Sequence, residues 1–480
     1  MKKSSWVKIH NVSGTVLGFF LLMLCLSGIV LNHRDLFGGI DVSRRCLPPW
    51  YRYENWNGGL LRGSVALPGG AGDCREPRVL VYGSGGIMLA DTAGRVFTDF
   101  NRGLPDSADG RQIRAVVRTG GGRLYALTAS ALYSFEPSAG WRDTGLRGAV
   151  DDRFSDLTCR GDTVAVAGRS YLYLSAEPGA PFRRISFKAP DGYKPEISLF
   201  RIVWMFHSGE MFGLPGRLFV DAVGVAIILL CVTGWCLWLA PARVKGLKFK
   251  LLNLRLHNRT GVATLVFTAF VITTGWCLRP PLIIPLAMTK VPDRTENPWH
   301  DRLRMIRYDA LRGDWLLSAS DGFYSLDSLE AKPVKLTGTP PVSVMGLNVW
   351  EPAGADKWVC GSFSGLYVWD RATSSSKDYY TGEAAPEKAG APFGKLAVAG
   401  YSADFSDAPV VALYHEGTDR LPQPSRYADL PLPLWNVALE VHSGRIYFGA
   451  SATYFYIFII GAASLLLLLS GWKIRLHRKT

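Results

Sequence analysis

Acidic residues are missing from three short stretches of this sequence. Residues 1–11, 241–260 and 472–480 hold thirteen lysines and arginines (Lys2, Lys3, Lys8, Arg243, Lys245, Lys248, Lys250, Arg255, Arg259, Lys473, Arg475, Arg478 and Lys479) and no aspartate or glutamate. The whole chain carries +14, so the remainder is close to neutral, with 41 of the 54 basic residues against 40 acidic ones. A basic stripe of the kind that holds nucleic acid is thereby excluded, because the surplus is confined to three places. Several motifs are missing as well. There is no GxGxxG between a strand and a helix and no P-loop, which excludes the common nucleotide-binding signatures. No CxxC and no Cys/His spacing suits zinc. Histidine is scarce, with eight in 480 residues, so the position of each one is informative.

Long apolar runs are what the sequence does have. Val12–Leu31, Leu218–Ala240, Gly261–Leu278 and Ala452–Trp472 are each long enough to cross a hydrocarbon layer of about 30 Å as a helix. The first lacks a small-x-small cleavage site and runs into Asn32-His33-Arg34, so it reads as a retained span and not a signal peptide. The positive-inside rule puts both termini and the middle loop in the cytoplasm. The expected protein lies in a bacterial inner membrane, with the lipid bilayer as its first partner, and has five parts. Residues 1–33 are the first span with a cytoplasmic N-terminus, and 34–205 a periplasmic β-rich segment. Residues 206–280 are spans two and three with the basic cytoplasmic loop, 281–441 a second periplasmic β-rich segment, and 442–480 the fourth span with a basic cytoplasmic tail.

The two outer segments share a pattern. Short strand-like runs such as Arg78–Tyr82, Gly122–Leu127, Asp162–Ala167, Asp314–Ser318 and Lys357–Gly361 are each followed by a turn and a second run containing tyrosine. The unit recurs at roughly 40 residues, the period of propeller blades. Six units are counted, three per segment, and they are expected to close into one propeller; two separate β-rich domains are the alternative. Cys25, Cys231, Cys236 and Cys277 lie in spans and read as small apolar residues. Cys46, Cys74, Cys159 and Cys360 lie outside, where a periplasm permits disulfides. Cys46–Cys74 is the favoured pair because the two are close in sequence.

The membrane part repeats internally. Ile9-His10-Asn11-Val12-Ser13-Gly14 opens the first span and Leu256-His257-Asn258-Arg259-Thr260-Gly261 the third. With that offset Ser27-Gly28 falls on Thr274-Gly275. His207-Ser208-Gly209 precedes the second span and His442-Ser443-Gly444 the fourth, and these close with Thr233-Gly234-Trp235 and Ser470-Gly471-Trp472. A two-helix unit therefore occurs twice in the same orientation, which implies a pseudo-twofold axis along the membrane normal. Taken singly, a histidine at a helix end is an ordinary solvated residue. Duplication changes that reading. His10 and His257 become a pair at the cytoplasmic edge, and His207 and His442 a pair at the outer edge. Two imidazoles facing one another are what a low-spin b-type haem takes as axial ligands, so two haem b groups are expected on these four residues. His33, at the same outer level, is a fifth cofactor-binding candidate, either as a ligand or against a propionate. The glycines of the repeat would admit a flat macrocycle or a neighbouring helix. His477 reads as a tail residue, and His300 and His415 as outer-segment residues. No catalytic side chain is assigned.

Trp204-Met-Phe-His207-Ser-Gly-Glu-Met-Phe212-Gly-Leu-Pro-Gly-Arg217, then Thr233-Gly-Trp-Cys-Leu-Trp238, His257-Asn-Arg-Thr-Gly261 and Leu26-Ser-Gly-Ile-Val-Leu-Asn-His33 together resemble the PepSY-associated transmembrane family. The resemblance covers the four spans and their edges. Characterised members include inner-membrane di-haem reductases of siderophore-bound iron. It therefore implies haem iron on His10, His207, His257 and His442, and electrons passing outward to a periplasmic ferric chelate or siderophore.

The cytoplasmic parts are too short to fold a flavin or nicotinamide domain, so the electron donor is expected to be a separate protein, a free reductant or membrane quinol. Two other classes compete with a haem reductase. One is a membrane-anchored β-propeller that binds or senses a partner without redox activity. The other is a small-solute or metal carrier, which the shortage of intramembrane charge disfavours: Asp221 is the one acid in any span. Reporter fusions test the topology. Fusions at residues 245 and 478 are expected to report cytoplasm, and those near 120 and 380 periplasm; a periplasmic signal at 245 would invert the orientation.

Overall fold

Helix length and apolar content separate one part of the chain from the rest. The computed structural model describes residues 3–69, 76–150, 152–177, 179–239 and 242–479. One compact unit comprises Met1–Val42, Pro195–Arg294 and Leu432–Thr480, and a second comprises Ser43–Lys194 and Thr295–Pro431.

The first unit is helical. Its longer helices are α1 (Lys3–Asn32), α2 (Leu199–Ser208), α3 (Gly213–Leu239), α4 (Ala242–Cys277), α5 (Leu434–Ser443) and α6 (Arg445–Lys479). Four stretches among the described residues are long and apolar enough to span a bilayer: Ser4–Asn32, Glu210–Trp238, Gly246–Cys277 and Phe455–Leu476. The four apolar runs of the sequence overlap them. Helices α1 and α4 each pack against both α3 and α6, while α5 lies on α1 and α2 on α4. Leu17, Leu21, Val223, Ile227, Ile457 and Ile460 meet inside. Large apolar side chains also face outward, Val266 and Phe455 both 74% exposed, as a lipid-facing surface requires and a water-facing one disfavours.

Residues 199–205 and 434–441 fall at the ends of the expected β-rich segments, yet they are helical. Ser198 caps α2 by accepting a hydrogen bond from the Arg201 N–H at 3.3 Å. Both α2 and α5 end on a glycine at φ 80°, ψ −1°, Gly209 and Gly444. That left-handed conformation suits glycine and lets the chain turn sharply into the following span. Two-residue and three-residue strand pairs lead into these helices, Asp41–Val42 with Leu432–Pro433 and Glu196–Ser198 with Lys290–Pro292.

The second unit is β-rich. Five antiparallel four-stranded meanders and one two-stranded sheet follow in chain order. Their first strands are β1 (Gly63–Leu67), β2 (Ala115–Arg118), β3 (Phe154–Arg160), β4 (Leu303–Asp309), β5 (Leu347–Pro352) and β6 (Val398–Ser402). The second strands, such as Arg78–Gly83 and Asp314–Ala319, are buried along nearly their whole length. Continuous apolar runs in strands mean that both faces are covered, and here neighbouring sheets cover them. Six apolar clusters result, each between two sheets. Leu80 and Ile87 meet Val116 and Ala126, and Phe154 and Leu157 meet Tyr125 and Leu127. Leu172 and Ile185 meet Leu303 and Trp315, and Leu316 and Phe323 meet Trp350 and Trp358. Val349 and Leu366 meet Val398 and Tyr401, and Val410 and Ala412 meet Val81 and Met88. β6 therefore returns to β1, and the two chain segments share one unit.

The favoured Cys46–Cys74 pairing lies outside the described residues on its Cys74 side. Among the others, Cys159 donates to the Arg118 carbonyl at 3.3 Å and Cys360 is buried in an apolar cluster.

One buried ion group ties two of the sheets together. Arg371, with a side chain 5% exposed, donates to both Asp314 oxygens at 2.9 and 2.6 Å and also to Asp309. Removing one member of such a group leaves uncompensated buried charge, which costs about 3–5 kcal/mol. Arg371→Ala is expected to destabilise the β-rich unit by that amount and so to lower the denaturant midpoint of its unfolding, followed by tryptophan fluorescence. An unchanged midpoint would show that water replaces the guanidinium at no cost.

Candidate functional site

Inside the helical unit the histidines meet in twos. The His10 and His257 ring centres are 6.1 Å apart with planes at 80°, and the His207 and His442 ring centres are 6.1 Å apart with planes at 49°. His10 lies on α1, His257 on α4, His207 at the end of α2 and His442 at the end of α5.

Each ring is held in the same way. His10 Nδ1 lies 3.0 Å from Ser470 Oγ and 3.3 Å from the Leu467 carbonyl. His442 Nδ1 lies 3.1 Å from Ser27 Oγ and 3.0 Å from the Leu24 carbonyl. His207 Nδ1 lies 3.3 Å from Thr274 Oγ1 and 3.1 Å from the Val271 carbonyl. His257 Nδ1 lies 2.9 Å from Thr233 Oγ1 and also bonds the Leu230 carbonyl. In all four the carbonyl belongs to the residue three before the hydroxyl.

These partners fix the tautomer. A carbonyl only accepts, so Nδ1 carries the proton and donates. The hydroxyls donate elsewhere, Ser27 to the Met23 carbonyl and Thr233 to the Leu229 carbonyl, both at 2.7 Å. Their oxygens are therefore left as acceptors for the imidazole. Nε2 keeps its lone pair, and among the described residues none of the four Nε2 atoms has a hydrogen-bond partner. A histidine whose Nδ1–H is pinned to a carbonyl is oriented and made more basic for metal ligation at Nε2.

At two of the four sites the glycine after the hydroxyl residue makes room for the ring. A Cβ on Gly275 would lie 2.7 Å from His207 Cε1, and one on Gly471 would lie 3.1 Å from His10 Cε1. The corresponding distances are 3.4 Å at Gly28 for His442 and 3.6 Å at Gly234 for His257. Gly275 and Gly471 thus admit imidazoles, while a Cβ at Gly28 or Gly234 would make ordinary contact with its ring. Gly14 and Gly261 instead face leucines, Leu467 and Leu230, at 3.5 Å.

His33 stands apart from both pairs. Its Nε2 is 2.6 Å from Asp221 Oδ2, and Asn32 donates to Asp221 Oδ1 at 2.9 Å. Asp221 is therefore satisfied by Asn32, the last residue of α1, and by His33 just after it, which relieves the cost of holding a carboxylate in an apolar layer. His300 and His415 lie in the β-rich unit, near Ser170 Oγ at 3.4 Å and the Phe393 carbonyl at 3.3 Å. The side chain of His477 lies outside the described ones.

The hydroxyl partners Ser27, Thr233, Thr274 and Ser470 were visible in the sequence only as repeat members. Their signal was the recurrence of Ser/Thr-Gly near the far end of each span, with Ser27 and Thr274 each 17 residues after His10 and His257.

Comparison with known proteins adds the following. The chain covers 68% of its own length against 32% of an ancestral GH74 enzyme, at 8% identity and a TM-score of 0.30. Against the extracellular domain of a putative hybrid two component system from B. thetaiotaomicron the values are 77%, 39%, 9% and 0.32. Against PorZ, a surface component of the type-IX secretion system of Porphyromonas gingivalis, they are 78%, 39%, 11% and 0.30. The chain thus spans about a third to two fifths of the length of these solved structures. No curated protein matches it. Residues 1–241 match the family described as the PepSY-associated TM region. That match takes in just over half of the 480 residues and includes α1, α2 and α3, and the chain belongs to this family.

Proposed function

We propose that this protein is an inner-membrane reductase that holds two b-type haems, one between His10 and His257 and one between His207 and His442. Electrons would pass to a periplasmic acceptor, a ferric chelate or siderophore. The observation that carries this reading is the 6.1 Å separation of the ring centres in both pairs. Two imidazoles at that separation leave room for one metal ion, which a nitrogen of each ring would hold at about 2 Å. The Nε2 atoms, without a hydrogen-bond partner among the described residues, and the pinned Nδ1–H groups supply the matching chemistry.

Position supports the reading too. His10 and the Leu24 carbonyl that holds His442 are fourteen residues apart on α1, as are His257 and the Val271 carbonyl that holds His207 on α4. At 1.5 Å per residue each interval is about 20 Å, most of a hydrocarbon layer of about 30 Å. The equal intervals and the shared holding geometry fit a pseudo-twofold axis along the membrane normal.

When bound, a haem supplies one-electron exchange at its iron. The chain's own part is to present two neutral imidazoles, fix their planes and keep the site apolar, which together tune the potential. Ferrous iron is softer than ferric iron and less suited to the hard oxygen donors of a chelate, so adding one electron loosens the metal. The β-rich unit, read as a six-bladed propeller on the periplasmic side, would offer the acceptor a surface. The positive-inside pattern supports that orientation.

Histidine variants test the pairing. His10→Ala and His257→Ala are each expected to remove the same half of the haem, and His207→Ala and His442→Ala the other half, read from the Soret and reduced α-band spectra. The inner-pair variants should block entry of electrons from the cytoplasmic side. The outer-pair variants should keep one reducible haem yet stop reduction of a periplasmic ferric chelate. His33→Ala should retain both haems. Loss of the outer haem in His33→Ala but not in His442→Ala or His207→Ala would replace the proposed pair.

A further inference from the structure

Five sheets of the β-rich unit have four strands and the sixth has two, β6 and Val410–Leu413. The sixth sheet carries a bulge that three of the others share. One residue of the first strand is skipped, between Phe154 and Asp156, Leu303 and Met305, Leu347 and Val349, and Val398 and Gly400. Aligned on that bulge, Val411 corresponds to Val166, Leu317 and Cys360. Each of those three pairs onward with a tyrosine of the third strand, Tyr173, Tyr324 and Tyr367. All three tyrosines are buried. Beside Val411 that place holds no strand among the described residues.

The edge left open can form hydrogen bonds. Along an antiparallel strand the backbone groups of successive residues turn to opposite neighbours. The Tyr401 N–H donates away from Val411, to the Arg62 carbonyl at 3.3 Å, and Leu413 exchanges both of its backbone bonds with Gly417, each at 2.9 Å. Val411 therefore turns its N–H and C=O outward, as Leu413 does, and no described residue bonds either group. Past Gly417 the chain leaves this edge, with the Thr418 N–H on the Asn55 carbonyl. Arg420 Nη1 returns to the Pro409 carbonyl at 3.3 Å. Val411 lies between these two ties.

A cleft of about 400 Å³ opens here. Val411, Leu413 and Tyr379 give it an apolar floor, packed on Val349 and Val398, and Tyr380 stands half exposed at its side. Glu416 and Asp419 also line it, both exposed and without an ion pair to any described residue. Arg420 is the one basic residue of the described lining, and its guanidinium is turned to a carbonyl. The rim is acidic.

We propose that an extended segment of a partner protein, carrying an aromatic residue next to lysine or arginine, adds to this sheet as its third strand. Backbone pairing with Val411 selects an extended chain. Residues opposite one another in an antiparallel pair share a face, so the paired side chain lies over Leu413 and Tyr379. The three sister sheets put tyrosine there, which makes an aromatic ring the fitting occupant. Glu416 and Asp419 select the basic neighbours. The site lies in the β-rich unit and does not depend on the haem reading.

A blocked, fluorescein-labelled peptide, Lys-Val-Tyr-Val-Lys, tests this on the purified full chain. Saturable binding by anisotropy is expected, with slower deuterium exchange of the Val411 amide. Methylating the tyrosine nitrogen removes one strand bond and should weaken binding about tenfold. A peptide with glutamates in place of the lysines should bind more weakly too. Joint Glu416→Lys and Asp419→Lys should reverse that order, and both sites are exposed, so the fold is kept. Absence of saturable binding overturns the proposal, as does equal binding of the methylated peptide. A Val411 amide already protected by dimer formation without peptide would assign the edge to a second copy of this chain and overturn it as well.

Discussion

The hydrogen bond from each histidine Nδ1–H to a backbone carbonyl of a neighbouring helix is the constraint on which the membrane unit depends. A carbonyl inside a helix already accepts from the N–H four residues on. It takes a second donor only where side chains let that donor approach. Gly275 and Gly471 open that approach for His207 and His10, and at all four sites the hydroxyl oxygen shares the imidazole proton. One short motif, Ser/Thr-Gly, therefore fixes the tautomer, the ring position and the direction of the free nitrogen together. The motif recurs four times, at Ser27, Thr233, Thr274 and Ser470. It joins α1 to α6, α1 to α5, α3 to α4 and α2 to α4, so the bonds that orient the rings also lock the bundle.

The same logic accounts for the short helices α2 and α5. Neither spans a membrane, and each is ten residues long. Each brings a histidine to the end of a span that belongs to a different part of the sequence, and then turns on a left-handed glycine. Without that turn the outer pair would have no helix to carry it. The β-rich unit distributes its core differently, between sheets instead of at one centre. Its middle is lined by charged side chains, among them Asp156, Arg307 and Glu351.

Much of the fold was legible in the sequence. The four spans announce themselves by uninterrupted apolar length, which no tertiary contact overrides, and the β-rich character follows from short apolar runs punctuated by glycine and aspartate. The helices α2 and α5 were not legible, because a ten-residue apolar run reads equally as buried strand or short helix. The histidine positions could be singled out by duplication, as could the family. The roles of Ser27, Thr233, Thr274 and Ser470 could not, since which helices touch is a tertiary fact. The His33–Asp221 contact joins residues 188 positions apart, and nothing local to either residue points to the other.

The central claim is that two pairs of imidazoles each close on one iron. Haem extraction from the purified wild-type protein, counted against chain and combined with electron paramagnetic resonance of the oxidised form, tests it most directly. The account predicts about two haem b per chain, both low-spin with two imidazole ligands. No Soret band after expression with haem supplied, or high-spin iron alone, would contradict it.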